Sequence, residues 1–153
     1  MKQSRIHAAV IAAGLMVAGA QASAEDCTLG ERYFKRAEAA QAAYDDESRI
    51  RNLQLAAQAC NDSAIWLELG DAIMEIRDAA EPWLGVDAED AEDGFAIRAS
   101  DAYSRANEYA ATPAASAAAM LGWSRVAFCE VGDPERAEQA ILKAEQLAPE
   151  DSE

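Results

Sequence analysis

In the stretch "VGDPERAEQAILKAEQLAPED", alanine returns at Ala137, Ala140 and Ala144 between a Gly-Asp-Pro start and a Leu-Ala-Pro stop. A solvated helix would accept any good helix former at those places. Small side chains recurring at helical spacing are needed only where another helix must come close, so this chain is expected to pack helix against helix. Elsewhere the sequence agrees: glycine and proline are sparse, and no segment alternates apolar and polar residues long enough for a strand. Alanine, leucine, glutamate, glutamine and arginine dominate, and the expectation is an all-α protein.

Six helices can be placed from periodicity and punctuation. Leu29, Tyr33, Ala37, Ala40 and Tyr44 share helical spacing, and "DDES" at Asp45 to Ser48 supplies cap residues for a second helix holding Ile50, Leu53, Ala57 and Cys60. Asp62 or Ser63 caps a third, with Ile65, Trp66, Leu69, Ile73 and Ile76 on its apolar side. "DAAEPWLGVDAEDAED", from Asp78 to Asp93, reads as a loop or irregular insertion because it combines Pro82, Gly85 and a dense acid run. A fourth helix is expected over roughly Gly94 to Ala110. Thr112-Pro113 starts a fifth that runs to Val131, where Gly132 stops it. Asp133-Pro134 opens a sixth, and Pro149 closes it.

The first 24 residues have the layout of a secretory signal peptide: Lys2 and Arg5, an apolar run from Ala8 to Gly19, then "AQASA" ending at Ala24. That run is too short to span a bilayer. Cleavage after Ala24 would leave one domain over residues 25–153, in the periplasm or secreted. Glu25 and Asp26 stand where a lipoprotein signal needs small residues before its cysteine, so no lipid anchor is expected. Lys2 and Arg5 are two of the 13 basic residues, while all 28 acidic ones lie beyond Ala24, so cleavage takes the net charge from −15 to −17. Such a surface repels nucleic acid and anionic lipid and attracts basic segments or divalent cations.

The single histidine, His7, lies inside the signal. Without an imidazole the mature chain lacks histidine acid-base catalysis, histidine-activated nucleophiles and the usual zinc and haem sites. No enzyme activity, cofactor or metal is expected. A carboxylate-only glycosidase would need two acids facing across a cleft, which nothing here places.

Two spacings connect the helices. "WLELGDAI" places Trp66, Leu69-Gly70 and Ile73 in the large-x2-Leu-Gly-x2-large pattern that opens a tetratricopeptide repeat. The pattern of its second helix, alanine, a large residue four on and alanine three further, occurs as Ala99, Tyr103, Ala106 and as Ala137, Ile141, Ala144. The chain therefore resembles the tetratricopeptide repeat family over essentially residues 25–153, and is similar to the repeat modules that bacterial envelope proteins carry directly after a signal peptide. The resemblance implies three antiparallel helix pairs stacked as a short solenoid, with the acidic insertion in the second pair, and the recurring alanines become packing positions between hairpins. Tyr33 to Trp66 spans 33 residues, close to the repeat length of about 34. Trp66 to Leu121 spans 55, leaving about 21 for the insertion. In this phasing the third pair presents Leu121, Arg125 and Phe128, and Arg125 stands where the family prefers glycine.

In an antiparallel hairpin the start of one helix lies beside the end of the next, which pairs Cys27 with Cys60 as a disulfide and leaves Cys129 as a buried small hydrophobe. The resemblance implies a non-enzymatic scaffold or adaptor that binds another envelope protein along the concave face of the first helices, through Phe34, Glu38, Leu67, Asp71, Glu75, Val126 and Glu130. Acids without a lysine on that face favour a basic or apolar partner segment. The end helix after Ala110 offers a second docking place, for a partner or another copy of the chain. The alternative is an acidic cation-binding or stress-buffering protein that works through the insertion. Asp87, Glu89, Asp90, Glu92 and Asp93 suit calcium, but the run departs from a calcium-loop pattern at Ala91 and Ser100. Trp83, inside the insertion, is either a plug on the second hairpin or an exposed anchor.

Overall fold

A computed structural model describes residues 24–80, 88–129 and 132–149, with side chains described over 27–76, 98–129 and 132–149. The expected signal peptide, Trp83 and Glu130 lie outside the described residues. Six helices follow in order: α1 (Ala24–Ala42), α2 (Asp46–Ala59), α3 (Ser63–Ala80), α4 (Ala88–Glu108), α5 (Pro113–Cys129) and α6 (Pro134–Leu147). Among the described residues there is no strand. The protein is all-α: α1 packs on α2, α3 on α4 and α5 on α6, and the pairs join in sequence through α2 against α3 and α4 against α5.

Local chemistry sets most of the helix starts. The Asp45 carboxylate accepts a hydrogen bond from the Ser48 amide (3.0 Å), which satisfies one of the free N–H groups of α2. Asp62 does the same for Ala64 (2.8 Å), Thr112 for Ala115 (3.2 Å) and Asp133 for Arg136 (3.0 Å). Gly132, at φ +62°, takes the left-handed turn after α5 that a side chain would resist.

The insertion differs from its expected form. Where a loop was predicted from Asp78 to Asp93, α3 continues to Ala80 and α4 already begins at Ala88, six residues ahead of Gly94. Its alanines and glutamates are good helix formers and extend both helices of the second pair, so of this segment only 81–87 falls outside the described residues. Other expectations also need correction. Tyr44 lies beyond α1, 93 % exposed, rather than on its packing face, and Cys129 is exposed rather than buried.

The core is built as the recurring alanines imply. Ala99 and Ala106 are fully buried, Ala137 and Ala144 nearly so, while Ala140 is only half-buried at the edge of a groove. The closest helix approaches, however, are made at glycines. A Cβ built on Gly70 would lie 2.6 Å from the ring of Tyr103, and one on Gly122 would lie 2.2 Å from the same ring. Tyr103 is thus held between α3 and α5, with a glycine on each. In α1, Gly30 lets the end of α2 approach, its Cβ position being 2.7 Å from the Cys60 Cβ. The Leu-Gly dipeptides at 29–30, 69–70 and 121–122 each mark a close helix contact, Gly30 with the end of α2 and Gly70 and Gly122 with Tyr103 of α4. In α5 the close contact is made by Gly122, while Leu121 and Phe128, matched to Trp66 and Ile73 by the 55-residue spacing, are 46 % and 65 % exposed and are not packed as those two are. Arg125 lies three residues past the contact glycine, at the surface, where it obstructs nothing.

Cys27 and Cys60 are disulfide-bonded, with Cα atoms 4.4 Å apart, tying the start of α1 to the end of α2. Among the described residues, no helix is long and apolar enough to cross a membrane.

Candidate functional site

Three carboxylates occupy one side of α3. Glu68, Asp71 and Glu75 stand at i, i+3 and i+7, so the helical repeat stacks them along a single edge. Each is engaged by a residue from another helix. Arg49 of α2, only 5 % exposed, donates through Nη2 to Glu68 (2.7 Å) and through Nη1 to Glu75 (2.5 Å). Burial disfavours the guanidinium charge, but the hydrogen bonds from Arg49 to Glu75 and Glu68 outweigh it and raise the Arg49 pKa. One forked cation thereby joins the first pair to the second, as the planar fork of arginine suits it to do.

Asp71 joins the second pair to the third. It accepts the Tyr103 hydroxyl hydrogen bond (2.7 Å), and Arg125 Nη1 of α5 lies 3.5 Å from the same oxygen. Burial, and then the hydrogen bond to an anion, both disfavour the phenolate and push the Tyr103 pKa up. The Asp71 and Arg125 side chains are 39 % and 52 % exposed, so their ion pair is a surface contact of small net worth.

The residues expected to line a concave face are therefore placed unequally. Glu38 is exposed on α1, and Phe34 and Leu67 are half-buried against the core, with part of each side chain reaching the surface. Asp71 and Glu75 keep their surface position but serve as interhelix ties. Val126 is 2 % exposed and belongs to the core, because α5 turns the side of Gly122 and Val126 inward and leaves Arg125 outside. Glu130 lies outside the described residues.

Sequence reasoning missed Arg49, Glu68 and Arg125. A signal for Arg49 exists: Arg49, Leu53 and Ala56 repeat the spacing of Ala99, Tyr103 and Ala106, with arginine at the first alanine place. An arginine at a packing position needs a carboxylate partner close by, and α3 supplies two.

A second concavity lies between α4 and α6 over α5, about 420 Å³ in volume. Trp123, half-buried on α5, contributes to it while its indole N–H donates to the Ser100 hydroxyl (3.1 Å). The free thiol of Cys129 is exposed. Among the described residues, no cluster of three or more histidine, cysteine, aspartate or glutamate side chains is arranged to hold a metal ion. No protein-family model and no curated protein matches this chain.

Proposed function

We propose that this protein is a non-enzymatic interaction module of the tetratricopeptide repeat type, acting in the bacterial periplasm, that binds a partner protein through the face formed by its first helices. The observation that carries the reading is the edge of α3, where Glu68, Asp71 and Glu75 stand in a row beside the partly exposed Leu67, with α5 packed alongside through Arg125. Arg49 and Arg125 neutralise part of that charge and also hold the carboxylates in fixed positions, so a partner's basic residues would meet a preorganised anionic surface. A basic segment with an apolar residue for the Leu67 and Phe34 region fits best. The disulfide supports an oxidising compartment, and removal of residues 1–24 would deliver the chain there.

The test is crosslinking and affinity capture of the chain from its own envelope, read by mass spectrometry. Asp71→Lys is a poor control, because Asp71 ties three helices and its loss would disturb the fold. Glu38→Lys combined with Glu75→Gln is better: Glu38 is exposed, and glutamine retains an oxygen that accepts from Arg49. One protein captured by the native chain and lost with the folded double variant is the expected result. Capture indifferent to these charges would remove the face from consideration.

A further inference from the structure

The concavity between α4 and α6 is chemically unlike the rest of the surface. Arg136 and Lys143, at i and i+7 on α6, face into it, and among the described residues no carboxylate lines it, although the sequence holds 28 acidic residues against 13 basic ones. Its walls are apolar at Met120, Trp123 and Ala140, and Asn107 of α4 lies on the opposite side. Arg136 has a local partner, its Nε lying 3.2 Å from the Asp133 carboxylate of the α6 cap. Lys143 makes no ion pair with any described residue, an uncommon position on a chain so rich in acids.

We infer that this groove is a binding site for a small organic anion with an apolar, flat body, its charged group held by Lys143 and Arg136 and its body laid against Trp123 and Met120. The volume suits such a ligand, since small-molecule sites span roughly 300–1,000 Å³ and combine apolar walls with a few placed polar groups. Lysine gives a point charge that adapts to an anion's position, and the partly open indole face gives a stacking surface. The surrounding negative field excludes polyanions such as nucleic acid and leaves room for a single carboxylate or sulfonate that inserts deeply enough to meet the two cations. None of Phe34, Glu38, Leu67, Asp71 or Glu75 takes part, so the site stands apart from the first-helix face.

Titration with 2-naphthoate and with 2-naphthamide, which share one aromatic body and differ in charge, tests this directly. Calorimetry gives affinity, and the Trp123 indole N–H resonance reports location. The carboxylate is expected to bind saturably and to shift that resonance, and the amide to bind at least about tenfold more weakly, the equivalent of one ion pair. Lys143→Glu should abolish naphthoate binding, and Lys143→Gln should weaken it. Lys35→Glu, an exposed lysine on α1, should leave it unchanged. All these positions are exposed, and circular dichroism confirms the fold of each variant. Equal binding of acid and amide, no saturable binding, or a Lys143→Glu variant that binds as well as the native chain would each overturn the proposal.

Discussion

Tyr103 shows how much one side chain can decide. It is fully buried, closed on two sides by glycines, and its hydroxyl ends on Asp71. Alanine at Gly122 gains about 1 kcal/mol of helix propensity. Against this, its methyl meets a ring that cannot swing away, and overpacking of this kind costs about 1–3 kcal/mol or more. Gly122→Ala is therefore expected to lose about 1–2 kcal/mol in urea unfolding, and Tyr103→Leu in the same chain should recover part of it, as Leu53 fills the matching place in the first pair. A more stable Gly122→Ala chain would show that the helices do not meet there. The hydroxyl makes a separate prediction. The folded state raises the Tyr103 pKa, so its stabilisation is complete below the ordinary phenol value of about 10 and is lost as pH rises through the folded value. Tyr103→Phe should be less stable than the native chain by about 0.5–1.5 kcal/mol at neutral pH, and the gap should close above about pH 10. A gap constant to pH 11 would mean that the hydroxyl does not report this contact.

At the scale of elements, the first pair depends on its staple. Arg49 stands where Ala99 and Ala137 supply a packing alanine to the other pairs, and Leu29 is 45 % exposed, so the contact of α1 with α2 lacks part of the alanine pattern found there. The disulfide closes a loop of 33 residues, worth about 3–4 kcal/mol in the chain-entropy model. Cys27→Ser/Cys60→Ser should lose stability of that order, and hydrogen exchange should show α1 opening before α4 and α5. Uniform opening of all helices would deny the first pair any separate weakness. Helix starts were legible from single residues, because Asp45, Asp62, Thr112 and Asp133 act on amides two or three positions away. The extended ends of α3 and α4 were not. Pro82 and Gly85 signal a break near 81–87, but whether acids beyond it form loop or helix depends on the helix they continue.

Across the whole molecule, charge opposes compaction. A net charge of −15 at pH 7 sits on a fold whose described interhelix ion pairs are few, so repulsion among acids should outweigh the pairs that salt weakens. The melting temperature is expected to rise between low and physiological salt. A fall would show that the Arg49 and Arg125 ties dominate. The last pair also leaves Leu121, Phe128, Ile141 and Leu142 between 40 % and 65 % exposed, an apolar end where repeat arrays place a polar cap. The sequence by itself determined the number of helices and most of their starts, the pairing of neighbours, the staple between Cys27 and Cys60 and most of the alanines at the contacts, because each rests on spacing within a helix, on groups close along the chain or on the ends that a hairpin brings together. The tertiary structure alone decided which glycines make the close contacts, the ties from Arg49 to α3 and from Asp71 to α5, the burial of Val126 and the exposure of Cys129. Those depend on which side of each helix faces its neighbour, and a rotation of one residue, about 100°, moves a side chain from core to surface.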